Sequence, residues 1–155
     1  MTPSRFARIT VALDGSVSAQ DALEEAIDLA RQYGSELTVL CVAPLVPVYV
    51  AAPNAYVPAV PPPDVSRYQT LIDSAVKQAR SSGVAAVTGV CLEGVVVDEI
   101  LAQVETHPTD LLVVGSRGLS AAKRLLIGSV SGALVSHAPC PVLVVRPRPA
   151  TKPAA

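Results

Sequence analysis

Five short apolar runs, separated by segments of helical periodicity, constrain this chain more than any other feature. Residues 8–13 read "RITVAL", 36–43 "ELTVLCVA", 84–92 "VAAVTGVCL", 110–116 "DLLVVGS" and 141–146 "PVLVVR". Such runs predict strands, and one that is apolar at successive positions, as from Leu111 to Val114, suits a strand covered on both faces. After the turn "DGSVS", Ser18 with Asp21 three residues on predicts a helix N-terminus. Ala22, Leu23, Ala26, Ile27, Ala30 and Tyr33 then recur at helical spacing, up to a terminal Gly34. Leu71, Ile72, Ala75, Val76 and Ala79 predict a second helix over residues 65–82, stopped by Gly83. Val97, Ile100, Leu101 and Val104 predict a third that ends near His107, closed by Pro108, and a last helix spans about residues 129–138. Strands alternating with helices imply an α/β fold, a single open parallel sheet with helices on both faces.

The chain has 155 residues, half of them apolar and 16% charged, which suits one domain with an ample core. Residues 1–147 are expected to form that domain and residues 148–155 a flexible tail. Aromatics are scarce at 3%, so the core is built from Val, Leu, Ile and Ala. A net charge of −1 argues against a broad nucleic-acid-binding face. No apolar run approaches the roughly 20 residues of a membrane span, and "MTPSRFARITVALDG" enters a strand with no signal-peptide core, so a cytoplasmic protein is expected. Cys41, Cys91 and Cys140 are odd in number and far apart. They form neither a disulfide framework nor a zinc pattern and read as small reduced hydrophobes.

Residues 44–64 carry seven of the fourteen prolines. Proline removes donors and fixes φ, so neither a regular helix nor a central strand is expected there. A loop of this length is usually functional or disordered. It is expected to be a mobile flap near the site or a surface for a partner.

In open α/β sheets ligands bind beyond the carboxyl ends of the strands, where strand order reverses. The first strand ends at Asp14 and the fourth at Gly115. From Gly115 the chain reads "GSRGLSAAKRLLIGSVSG". Gly115, Gly118 and Gly128 permit positive φ and close approach of backbone N–H groups to a ligand. Ser129 opens a helix whose N-terminus carries unpaired donors and about half a positive charge, and Ser129 and Ser131 add hydroxyls. The stretch therefore reads as a phosphate cradle. The same glycines also serve as plain turn residues, Gly128 with Gly132 as a close-packing surface, and Asp14 as a local cap.

These residues resemble the universal stress protein family, in its nucleotide-binding branch. That branch carries Gly, two residues, Gly, nine residues, then Gly-Ser or Gly-Thr, matched here by Gly115, Gly118, Gly128 and Ser129. The opening "ITVALDGS" and the closing "CPVLVVR" resemble the family as well. The resemblance implies a five-stranded parallel Rossmann-like sheet in the order 3-2-1-4-5, with ATP between strands one and four. AMP or a cyclic nucleotide is the alternative ligand, and Mg²⁺ or Mn²⁺ would be held through the phosphates. By position, Asp14 would hold the ribose or the adenine edge, and Ala12 and Val42 would line the adenine slot. Gly115, Gly118, Gly128, Ser129 and Val130 would hold ribose and phosphates, with Ser131 helping. Arg117, Lys123 and Arg124 read as solvated surface cations.

The resemblance further implies a homodimer through strand 142–146. Physics agrees, because that strand is apolar, lacks guarding lysines and, in the order the resemblance implies, lies at a sheet edge. For turnover the chain lacks parts: there is no P-loop lysine motif and no G-x-S-x-G elbow, and His107 and His137 sit at helix ends. The expected function is thus a stress-response regulatory module, an adenine-nucleotide-dependent switch acting on an unidentified protein partner. The alternatives are a slow ATP hydrolase or phosphotransferase, or a ligand-independent interaction protein.

Overall fold

The computed structural model describes residues 4–117 and 127–149. In chain order the elements are β1 (Arg8–Leu13), α1 (Val17–Tyr33), β2 (Glu36–Pro44), β3 (Val48–Ala52), β4 (Ala55–Ala59), α2 (Val65–Ser81), β5 (Val87–Gly94), α3 (Val96–Thr106), β6 (Leu111–Gly115), α4 (Ser129–His137) and β7 (Val142–Val145). Five strands form one parallel sheet in the order β5-β2-β1-β6-β7. This is the expected α/β sheet. Its labels run higher than the expected 3-2-1-4-5 because β3 and β4 intervene in the chain.

Alternation along the strands sorts the core into two layers. Ile9 and Val11 of β1, Leu37 and Val39 of β2 and Val113 of β6 face one side, where they pack with Leu23 and Ile27 of α1 and Ile72 and Ala75 of α2. Leu40 and Val42 of β2 and Leu112 and Val114 of β6 face the other, against Ile100 and Val104 of α3 and Leu134 of α4. Val11 pairs with Val39 on one side and Val113 on the other and is fully buried, the expected consequence of a central parallel strand. Cys41 is buried within the first layer, and burial pushes its thiol up to about 12. All three cysteines are free. Among the described residues no helix is long and apolar enough to cross a membrane.

Three local expectations are corrected. The N-cap of α1 is Ser16, not Ser18: Ala19 N donates to Ser16 Oγ at 3.1 Å. Asp14 Oδ1 in turn accepts from Ser16 N at 2.9 Å, which sets the turn one residue pair earlier. The third sheet strand begins at Val87 rather than at residue 84, because Val84 N still bonds Ala79 O of the preceding helix. The proline-rich segment is not irregular throughout. It contains the antiparallel pair β3–β4, with Val50 opposite Val57 and Pro53-Asn54 as the turn. Asn54, in the turn, adopts a positive φ of 143. Both strands of a two-stranded ribbon are edges, so Pro58 costs at most one ladder bond.

Candidate functional site

Strand order reverses between β1 and β6, and their carboxyl ends open into a cleft of about 490 Å³. Its floor and walls come from both central strands and the second layer: Ala12 of β1, Leu40 and Val42 of β2, Val114 of β6, Ile100 of α3 and Leu134 of α4. Its rim is polar, with Asp14 and Ser16 after β1, Arg117 after β6, and Ser129 and Ser131 at the start of α4. An apolar slot with a few convergent polar groups is the usual form of a small-ligand site, and the volume lies in the usual range.

Every residue singled out for the site lines this cleft, except Gly118, which lies outside the described residues together with Lys123 and Arg124. Ala12, Asp14, Val42, Gly115, Gly128, Ser129, Val130 and Ser131 arrive from four separate segments. Val42 is buried, Asp14 half-buried, and Ser129 and Val130 exposed. Gly128 is the N-cap of α4, and no side chain caps that end, so the first backbone N–H groups of the helix open toward the cleft.

The reason for the glycines differs from the expected one. Gly115 does not lie in the left-handed region, and Gly128 has φ −59. A β-carbon on Gly115 would stand 2.7 Å from the Ser18 carbonyl carbon, and one on Gly128 would stand 3.2 Å from Ser116 O. Both glycines therefore let neighbouring backbone come close, rather than supplying an unusual φ.

Hydrogen bonds knit the rim. Ser16 Oγ donates to Arg117 O at 3.2 Å, and Arg117 N donates to Ser18 Oγ at 3.2 Å. Ser18 Oγ reaches Val145 O at 3.3 Å. Gly128 N donates to Ser116 O at 2.8 Å, and the buried Ser131 Oγ faces the same carbonyl at 3.3 Å. Sequence reasoning missed Ser16, Tyr68 and Pro44 as lining residues. The signal for Tyr68 was present: residues 68, 71, 72 and 75 continue the apolar stripe of α2 one turn toward its start. Arg117, read as solvated surface, also lines the cleft. His107 and His137 lie elsewhere. His137 Nδ1 lies 2.9 Å from Ala133 O, one turn back in α4.

The universal stress protein family model matches residues 5–146. Universal stress protein YxiE of Bacillus subtilis (strain 168) is 32% identical over 148 residues, spanning 91% of this chain and 99% of that protein. A universal stress protein crystallised in complex with cAMP has the same fold, with a TM-score of 0.70 and 22% identity over 92% of this chain and 98% of its own. A universal stress protein family protein from Arabidopsis thaliana with AMP bound gives a TM-score of 0.63 and 24% identity over 96% and 97%. The family match spans both ends of the cleft, from β1 to β7, and the chain belongs to the universal stress protein family.

Proposed function

We propose that the cleft binds an adenine nucleotide, ATP or in its place AMP or a cyclic nucleotide, and that occupancy switches what the protein binds next. The observation that carries this reading is the convergence of residues 12–14, 42, 115 and 128–131 on one cleft at the β1/β6 switch point. The solved relatives with cAMP and AMP bound support it.

The residues fit such a ligand. Ala12, Leu40, Val42 and Val114 give the cleft an apolar wall against which a flat purine can pack. Asp14 is fixed by its Ser16 N–H bond, so its carboxylate can accept a ribose hydroxyl. Arg117 and the uncapped N-terminus of α4 favour anions. Each charge-assisted hydrogen bond contributes roughly 1.5–3 kcal/mol. Three or four of them with a buried base reach the ~8 kcal/mol of a micromolar site.

Among the described residues no three His, Cys, Asp or Glu side chains form a metal cluster. Among the described residues, Asp14 is the only carboxylate lining the cleft. Mg²⁺ or Mn²⁺ would therefore be held through phosphate oxygens. Among the described residues, Asp14, Tyr68 and Arg117 are the titratable side chains lining the cleft. Ser16, Ser116, Arg117 and Ser131 couple the β1 turn, the β6 turn and the start of α4. A ligand touching any one of these segments is felt by all three.

Homodimer formation through strand 142–146 is part of the same reading. β7 is an edge strand, its four residues are half-buried, and none is charged. Mass spectrometry of small molecules released by heat from the purified protein tests the nucleotide reading. Co-purifying ATP, ADP or AMP is expected, and a protein carrying none and taking up none from a nucleotide mixture contradicts it.

A further inference from the structure

Cys41 of β2 and Cys91 of β5 are register partners on neighbouring parallel strands. Side chains alternate along both strands. Leu40 and Val42 enter the second core layer, with Val90 and Leu92 packed against it, whereas Cys41 lies in the first layer with Cys91 packed against it. The two thiols therefore stand side by side on one face of the sheet, although the sequence holds them far apart. Neighbouring strands lie about 4.8 Å apart, inside the roughly 4.4–6.8 Å that disulfides span between Cα atoms. Charge on Cys91 raises the Cys41 thiol further than burial alone, as it must between close neighbours. Cys140 packs against the second layer, on the other face of the sheet.

We infer that Cys41 and Cys91 form a redox pair, which hydrogen peroxide converts to a disulfide and a thiol reductant reopens. Cys91 meets the oxidant first, because it is half-buried on an edge strand while Cys41 is fully buried. Its thiolate sulfur attacks a peroxide oxygen and the O–O bond breaks. Hydroxide leaves and takes up the proton that the Cys91 thiol lost, giving water and a sulfenic acid on Cys91. The Cys41 sulfur then attacks the Cys91 sulfur and the S–O bond breaks. The hydroxyl departs with the Cys41 thiol proton as a second water. Two thiols are oxidised by two electrons in all, and one peroxide is reduced to two waters. Bond formation also draws the two β-carbons to roughly 3.5–4.5 Å. Among the described residues no strand lies beyond β5, so it is free to close that distance.

Burial raises both thiols, so neither is a fast-reacting thiolate at neutral pH. The pair thus registers sustained exposure to oxidant rather than turning over. The bond ties β5 to β2 one residue before Val42 and three before Pro44, both of which line the cleft. It needs no ligand there and is independent of the nucleotide reading.

Peptide mapping of the full chain after treatment with hydrogen peroxide in native buffer tests the inference, with circular dichroism to confirm folding. Cleavage after Arg67, Arg80 and Arg117 leaves the three cysteines on separate peptides. The expected product is a single chain lighter by two hydrogens, with the Cys41 peptide joined to the Cys91 peptide. Its rate of formation should not depend on protein concentration, and dithiothreitol should restore both thiols. Cys140→Ser is expected to form the same bond and Cys91→Ser to form none. A folded parent that keeps all its thiols under excess peroxide overturns the inference. So does one in which Cys91 proceeds to a sulfinic acid while Cys41 stays unmodified. A disulfide that engages Cys140 or a second copy, or a Cys91→Ser chain that still closes a bond within itself, overturns it as well.

Discussion

Gly115, the last residue of β6, lies so close to Ser18 of α1 that a β-carbon would stand 2.7 Å from the Ser18 carbonyl carbon and 2.8 Å from Ala19 N. These are backbone atoms of a packed helix and do not yield as a flexible side chain would. The close approach also brings Ser18 Oγ within reach of Arg117 N and Val145 O. One glycine thus holds together α1, the β6 turn and the end of β7.

Gly115→Ala is therefore expected to push α1 off the sheet edge. Overpacking of this kind costs roughly 1–3 kcal/mol. A lower urea midpoint, with a weakened nucleotide site, is the expected result. An alanine variant as stable as the parent contradicts the close approach.

At Asp14 two roles can be separated. Asp14→Ala removes the acceptor for Ser16 N as well as the rim carboxylate, and should cost about 1 kcal/mol of stability together with nucleotide affinity. Asp14→Asn keeps an acceptor for Ser16 N and loses only the charge. Parent-like stability with reduced affinity is expected for Asn. If both variants bind nucleotide like the parent, Asp14 serves only as the local cap of the turn.

Much of this could be read from the sequence, for physical reasons visible at single residues. β1 fell at Arg8–Leu13 as read, because its mostly apolar run is bounded by the charged Arg8 and Asp14. Ala22, Leu23, Ala26, Ile27 and Ala30 form the buried stripe of α1 as their spacing requires, and Gly34 closes the helix at φ 65. The α1 cap was misplaced because Ser16 and Ser18 are both good caps, and only the tertiary contacts of Ser18 decide between them. The β3–β4 ribbon was obscured by its prolines, whose cost falls away where both strands are edges. In the site, residue types were legible at the strand tips, where the chain must turn. Leu134 reaches the cleft from α4, through packing that no local spacing reports.

The opposite end of the sheet carries a pH-dependent clasp. Arg8 N and Nε donate to Asp110 Oδ2 at 2.8 and 3.2 Å, and Arg8 Nη2 lies 3.1 Å from Oδ1. The Arg8 side chain holds the Asp110 carboxyl below the usual carboxylate range, outweighing slight desolvation. A carboxyl lowered by folding adds stability above its unfolded value, about 3.9, and loses it as pH falls through the folded value. Asp110→Asn is expected to lower Tm at neutral pH and to flatten its fall below about pH 4. Parallel curves for variant and parent across that range would remove Asp110 from the acid response.

The apolar slot predicts a shared loss. Ala12 is half-buried at the cleft floor, so Ala12→Leu should fill part of the space assigned to the base. ATP, AMP and adenosine should then weaken together, since all three carry the same ring. Loss confined to the phosphorylated ligands would place the base elsewhere.

Titration calorimetry of the full chain with ATP, AMP, cAMP, adenosine and GTP tests the central claim most directly. Binding of ATP or AMP with a Kd on the order of micromolar is expected, with adenosine weaker because Arg117 and the α4 N-terminus then have no phosphate to hold. Ser129→Ala should weaken the phosphorylated ligands by about 1 kcal/mol and leave adenosine unchanged. A folded protein that takes up no adenine compound at concentrations approaching about 1 mM would contradict the assignment of the β1/β6 cleft as a nucleotide site.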